Sequence, residues 1–405
     1  MPVGTKGTVK GIVPAMVAGT GAQVLLNNTY HLLMRPGPEQ VAALGGVHRF
    51  MGWDAPILTD SGGYQAYSMA DINAIDDEGV TFKSIVTGSD VRLTPEYAVE
   101  VQRKLGADII MAFDDCPPSV DPDKAPVNQT RIRQAAMRDA EKRKGYDHGK
   151  RLDVALDRTA RWLERCVAAL GPGGMGEGSA GPQSLFGIVQ GGTDLDRRTR
   201  SVEQVCNIEC PGYAIGGVAV GELADDIARV VRHTAPLMPE DKPRYLMGVG
   251  YEHDIVAAVC AGVDMFDCVL PTRNGRNANA FVTGADEAEG SSGGERGQIR
   301  LKNSRYGEDP RPIEAGCDCA ACAGTGASWG PGGVGGGGGV SRAYLRHLFI
   351  AEEMLGPILV SLHNLRHFQR LMLDLRSAIA NDEWLGFARR WPRAARGLPP
   401  GVLSS

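Results

Sequence analysis

The sequence predicts an α/β fold: a closed (β/α)8 TIM barrel of 405 residues with additions. Three observations predict it. Short apolar runs alternate with stretches of helical pattern, the form that a parallel sheet built from βαβ units takes in sequence. Nearly every apolar run ends in a polar residue or a glycine, where such a barrel assembles its site. No G-x-G-x-x-G turn follows the first strand and no P-loop is present, which weighs against a doubly wound open sheet, the alternative.

Taken in order, Met1-Pro-Val-Gly-Thr reads as a strand and turn. Residues 24–26 form a run ending at Asn27 and Asn28, and 56–59 end at Asp60-Ser61-Gly62-Gly63. Residues 108–113 end at Asp114-Asp115, and 185–189 at Gln190-Gly191-Gly192. Residues 213–215 end at Gly216-Gly217, 244–247 at Gly248, and 263–266 at Asp267. Between them, Thr94-Pro95-Glu96 is a cap followed by proline at the first helical position, opening a helix to Gly106. Further helices are expected over 128–170, 194–208, 222–238, 252–262 and 342–355. The expected division is a barrel core over 1–299, a metal-binding subdomain over 300–360, and C-terminal helices over 361–405 that complete the barrel.

A hydrophobic fraction of 43% and a charged fraction of 22% are those of a globular protein. No apolar run reaches the roughly 18 residues that a membrane span needs, and nothing resembles a signal peptide. A cytoplasmic location without membrane contact is therefore expected. The net charge of −5 weighs against a protein that coats nucleic acid, but leaves room for a local basic groove. Glycine is concentrated in 171–181, 284–297 and 324–339, which read as flexible surface loops.

The stretch 263–277 draws attention first. Asp264 and Asp267 stand in an apolar run that reads as a buried strand ended by Pro271, with Arg273 and Arg276 in the turn beyond. A carboxylate at a strand end beside two guanidinium groups suits a nucleophile or base next to a phosphate clamp; a buried ion pair is the plainer alternative. Asp60 can serve as an acid or base, and Tyr64 can stack on a planar ring, though Asp60 could equally cap the next helix. Asp114-Asp115 suits a paired-carboxylate or base-reading site, or else a turn. Gln190-Gly191-Gly192 and Gly216-Gly217 offer bare backbone amides, or plain turn glycines. His31, His48 and His253 have no motif spacing and read as structural.

Of the nine cysteines, Cys317, Cys319 and Cys322 are clustered and the rest scattered, which fits a reducing compartment and one metal site. Three thiolates fill three corners of a tetrahedral Zn2+, and His347, on the helix after the third glycine segment, is the expected fourth ligand. Such a set leaves no open position for water, so the metal reads as structural. Arg300, Lys302, Arg305, Arg311, Arg342 and Arg346 around it could extend a phosphate-tracking patch, or be solvated surface.

Several segments together resemble the queuine/7-deazaguanine tRNA-ribosyltransferases, or tRNA-guanine transglycosylases. They are Met1-Pro-Val-Gly-Thr, Asn28-Thr-Tyr-His-Leu, Thr59-Asp-Ser-Gly-Gly-Tyr-Gln, Met111-Ala-Phe-Asp-Asp, Gly187-Ile-Val-Gln-Gly, Ala214-Ile-Gly-Gly-Val-Ala-Val-Gly-Glu, Tyr245-Leu-Met-Gly-Val-Gly, Phe266-Asp-Cys-Val-Leu-Pro-Thr-Arg, and the cysteine triplet with His347. The resemblance implies a barrel with a zinc-binding insertion, and a pentosyltransferase that exchanges guanine 34 of the tRNA anticodon for a 7-deazaguanine base in queuosine biosynthesis. It implies Asp267 as nucleophile and Asp60 as proton acceptor. Ser61, Gly62, Gly63, Tyr64, Asp114, Gln190, Gly217 and Met247 would hold the base, with Tyr64 and Met247 sandwiching the ring. Gly248, Val249, Gly250, Tyr251, Glu252, His253 and Asp254, with Thr272, Arg273, Asn274, Gly275 and Arg276, would contact the RNA. The implied partners are the aspartate, asparagine, histidine and tyrosine tRNAs with a U-G-U anticodon context, and a second copy of the chain. Family members carry a further N-terminal sheet before the Met-Pro-Val-Gly-Thr motif, which the resemblance therefore implies is missing here.

The chemistry is consistent with that implication. Exchange that preserves the anomeric configuration requires two displacements, hence a carboxylate nucleophile and a second proton-handling group. Only an extruded base reaches such a site. The segment 217–222 and Cys116 resemble the bacterial type, which takes the aminomethyl precursor preQ1, with queuine the alternative. A non-catalytic tRNA-binding partner subunit and a barrel hydrolase of nucleosides or glycosides are the rival readings. The first expects loss of Asp267 or Asp60, and both are present.

Overall fold

The computed structural model describes residues 1–65, 72–119, 121, 146–218, 224–284, 297–324 and 339–403. Eight parallel strands form its centre: β1 (Val3–Gly4), β2 (Leu25–Asn27), β3 (Ile57–Thr59), β7 (Ile109–Met111), β9 (Gly181–Val189), β10 (Gly212–Ile215), β11 (Arg244–Leu246) and β12 (Met265–Phe266), neighbours in that order. Between β3 and β7 the chain adds a separate antiparallel sheet of β4 (Ile72–Ile75), β5 (Val80–Lys83) and β6 (Asp90–Leu93). The short β8 (Met175–Gly178) pairs antiparallel with β9.

The main sheet curls until its edges meet, with the Met1 nitrogen donating to the Phe266 carbonyl at 2.6 Å. Strand alternation then sorts side chains into two cores. Val3, Leu26, Leu58, Met111, Phe186, Ile188, Ala214 and Tyr245 fill the interior. Leu25, Ile57, Ile110, Leu185, Tyr213 and Leu246 face the surrounding helices.

The helices are bounded by their own sequence. Thr94 Oγ1 accepts from the Tyr97 amide at 3.2 Å to open Pro95–Leu105, and Gly106 closes it at φ 73°. Asp147 and Asp194 cap His148–Leu170 and Leu195–Cys206 in the same way. The expected helical stretch 128–145 lies outside the described residues. The 222–238 region gives Ala224–Thr234 followed by a 3-10 turn, Ala235–Leu237.

The structure departs from expectation in three places. The strand over 263–270 is only Met265–Phe266, and Pro271 lies in the first turn of the helix Leu270–Arg276 instead of ending a strand, a position where its missing N–H costs nothing. Residues 171–181 are not a loose loop but a turn leading into the β8–β9 hairpin, where Gly176 lies too close to the Leu170 carbonyl for any side chain. The expected helix 342–355 stops at Ile350, and a second, Leu355–Asn381, runs through residue 360. The other two glycine segments fall mainly outside the described residues.

A second core surrounds the cysteines. The antiparallel pair β13 (Asn279–Phe281) and β14 (Gln298–Arg300) contributes Ala280 and Ile299, joined by Tyr306, Ile313, Leu345, Leu348 and Val360. This core draws in residues ahead of the expected division at 300.

Candidate active site

The strand ends converge on one face. Asp60, just past β3, is held by Asn28 Nδ2 at 2.5 Å and Gln65 Nε2 at 2.7 Å on Oδ2, and by the Thr29 amide at 2.8 Å on Oδ1. Burial nevertheless pushes its carboxyl up to about 6, and the negative charge of Asp267 adds to the rise. Asp60 and Asp267 are thus near enough for their charges to interact.

Asp267 follows β12, half-buried. Its Oδ1 accepts from Tyr245 Oη at 2.5 Å and from the Gly248 amide at 2.8 Å. Among the described residues nothing donates to Oδ2, so one oxygen is anchored and the other is open. Asp264, three residues back, instead accepts from the Arg244 amide at 2.8 Å and closes the strand base, as its place in the run suggests.

Beside the two carboxylates lies a pocket wall of Asp114, Gln190 and Gly217. Gln190 Nε2 donates to Asp114 Oδ2 at 2.6 Å, and Ser61 Oγ to Oδ1 at 3.3 Å. Burial, with the neighbouring Asp115 charge, pushes Asp114 up to about 7. Gly217 has φ +62°, and a Cβ there would lie 2.3 Å from Gln190 Oε1, so only glycine fits. Gly62, at φ +80° against the Tyr30 backbone, has the same constraint. Tyr64 is 41% exposed, and Met247 is half-buried over the barrel core.

Asp115 has a different role. It is buried and accepts from Arg151 at 2.9 and 2.6 Å and from Arg158 at 2.6 Å, an internal ion triad with no face toward the pocket. The adjacent carboxylates expected as a pair thus divide between site and scaffold. A cavity of about 210 Å³ also opens at the seam between β1 and β12, touching Asp267 but neither Asp60 nor Asp114.

The two segments expected on RNA are only partly exposed. Val249, Gly250, Glu252, Asp254, Thr272 and Gly275 are buried. Glu252 Oε1 meets His367 Nε2 at 2.5 Å, and Gly275 packs directly on Ser361. These side chains hold the segments in place. Gly248 and Arg273 are exposed, and Tyr251, His253, Asn274 and Arg276 are partly so. In the outer patch, Arg300, Lys302 and Arg305 are exposed, but Arg342 is buried on the Ile313 and Pro312 carbonyls and Arg311 is bonded to Asp309.

The metal centre needs one correction. His363, not His347, joins the cysteines: its Nδ1 lies 3.6, 3.4 and 3.4 Å from the sulfurs of Cys317, Cys319 and Cys322. A tetrahedron with the usual zinc bond lengths has S···N edges of about 3.6 Å, so the set fits. His363 Nε2 donates to the Phe281 carbonyl at 2.7 Å, which fixes the tautomer and frees Nδ1 for a metal. His347 points outward from its helix and stacks on Tyr344 instead. His347 is the histidine nearest the triplet on the helix that follows it, whereas His363 stands in the apolar run 358–365, where a buried histidine needs a partner.

Sequence reasoning also missed Asn28, Gln65, Tyr245 and Arg198. Arg198 lies in the charged stretch 194–200, which reads as a solvated helix face, and only its burial distinguishes it. The preference segment 219–222 lies outside the described residues.

The family model described as queuine tRNA-ribosyltransferase matches residues 1–145 and 136–396. A protein of that name from Thermus thermophilus is 46% identical over 402 residues, covering 99% of this chain and 89% of its own. Those from Gloeobacter violaceus and Herpetosiphon aurantiacus are 44% and 42% identical, with 100% and 99% of this chain and 91% and 87% of their own covered. Beside the two strand-end carboxylates and the four-residue Cys/His cluster, the matches identify the chain as a member of the queuine tRNA-ribosyltransferase family.

Proposed function

We propose that this chain exchanges guanine at wobble position 34 of tRNA for a 7-deazaguanine base, preQ1 in preference to queuine, in queuosine biosynthesis. The observation that carries this reading is the asymmetry of Asp267, with one oxygen anchored by Tyr245 and Gly248 and the other open, beside the raised carboxyl of Asp60. In this reading Asp267 Oδ2 attacks ribose C1′ as the bond to guanine N9 breaks, and Asp60 supplies a proton to the departing base. The incoming base returns a proton to Asp60, and its N9 displaces Asp267 with the configuration retained. Asp114, Gln190 and Gly217 read the heterocycle edge, and Tyr64 and Met247 take its faces.

Gly248, Arg273 and Arg276, on the same face, suit the RNA around an extruded U-G-U guanine in the aspartate, asparagine, histidine and tyrosine tRNAs. The metal is zinc, which ties the insertion to the helix Leu355–Asn381 and takes no part in the chemistry. Exposed Tyr344, Ile350, Met354 and Leu355 favour a homodimer. Among the described residues no helix is long and apolar enough to cross a membrane, in keeping with work on tRNA in the cytoplasm.

Incorporation of labelled guanine into tRNA tests the proposal. Asp267→Ala should abolish it and Asp267→Asn should keep tRNA binding; undiminished exchange by Asp267→Ala would sink the reading. Turnover of free nucleoside without RNA would favour the hydrolase instead.

A further inference from the structure

Arg198 belongs to the helix Leu195–Cys206, on the outer side of the barrel, yet its side chain has no exposure. Its guanidinium spans two neighbouring strand ends. Nε donates to the Gly192 carbonyl at 2.9 Å, Nη1 to Val189 at 3.1 Å and Gly216 at 2.8 Å, and Nη2 to Gly217 at 3.1 Å. The planar fork thus fixes the turn after β9 and the turn after β10 relative to one another.

The consequence follows from peptide geometry. In a trans peptide the carbonyl and the next amide point in opposite directions. Drawing the Gly216 carbonyl toward Arg198 aims the Gly217 amide away from it. Drawing the Gly217 carbonyl aims the Val218 amide the same way. Among the described residues neither amide has an acceptor. Two donors are therefore directed together, next to Gln190, without any contact between Arg198 and the pocket. Ser201, one turn further along the same helix, accepts from the Gln190 amide at 3.0 Å and fixes the other side of the wall.

We propose that Arg198 is a positioning residue for the heterocycle: it sets the direction of the Gly217 and Val218 amides before any base arrives, and so governs base affinity but not tRNA affinity. The inference rests on the reading of Asp114, Gln190 and Gly217 as the base wall. Arg198→Lys retains the charge but cannot reach four carbonyls with one ammonium.

The test is calorimetric binding of free guanine and, separately, of tRNA to the full chain and to Arg198→Lys, with exchange kinetics alongside. The guanine Kd should weaken by about ten-fold or more, with KM for guanine following it, while the tRNA Kd stays within about two-fold. An unchanged guanine Kd, or equal weakening for guanine and tRNA, overturns the proposal. Since the guanine Kd needs no turnover, absence of exchange in the parent chain would count against the reaction, not against Arg198. Should the variant not fold, crystals of the parent chain with and without guanine decide: the turn should be the same in both, and a turn formed only with guanine overturns the idea.

Discussion

Tyr245 and Asp267 are joined across neighbouring strand ends, the phenol donating to Oδ1 at 2.5 Å. Burial and the charge of Asp267 raise the phenol well above its ordinary range, so it remains a donor throughout the working pH. Tyr245→Phe removes one of two anchors on that oxygen and lets the open oxygen rotate. We expect kcat for guanine exchange to fall by roughly ten- to a hundred-fold with KM for tRNA unchanged. Equal losses in both would point to general misfolding instead.

Asn28 tunes Asp60. Its amide bonds the ionised carboxylate, so it opposes the rise that burial causes. Supplying a proton to the departing guanine requires Asp60 protonated at the start of the cycle, so the first displacement should slow as pH rises through about 6. Asn28→Ala should move that alkaline limb to higher pH, measurable in a pH–rate profile; a limb that stays in place would remove Asp60 from the role.

The adjacent Asp114 and Asp115 should respond to mutation in opposite ways. Folded Asp114 keeps its proton up to about 7, against 3.8 for an ordinary aspartate. Its contribution to stability is complete below 3.8 and is lost as pH rises toward 7. Asp114→Asn has no proton to lose, so its unfolding free energy relative to the parent should improve with rising pH, by at most about 4 kcal/mol, while guanine binding weakens. Asp115→Ala removes the buried carboxylate that Arg151 and Arg158 both bond and should cost about 3–5 kcal/mol at neutral pH. Chemical denaturation checks both.

The metal prediction separates two histidines. His363→Ala should abolish bound zinc and lower the melting temperature, and His347→Ala should keep a full complement. Metal content by mass spectrometry reads this directly. Chelation of the parent chain should loosen Leu355–Asn381, whose Asn364 side chain also bonds the Pro271 and Asn279 carbonyls at 2.9 Å. Zinc retained by His363→Ala would refute the assignment.

By itself the sequence determined the barrel, because each strand is a short apolar run ended by a polar residue or glycine, a pattern local to the chain. It also determined Asp60, Asp114, Gln190, Gly217 and Asp267 as strand-end residues, and the thiolate triplet, since their signals are identity and spacing. Only the tertiary structure decided which histidine completes the metal set, because Cys317 and His363 are brought together by packing between segments far apart in sequence. It alone separated Asp114 from Asp115, adjacent in sequence but facing a pocket and an ion triad. It alone placed Arg198 inside, where the same residue in the same helical pattern would otherwise read as surface. Burial is a property of what surrounds a side chain, and no window of neighbouring residues contains it.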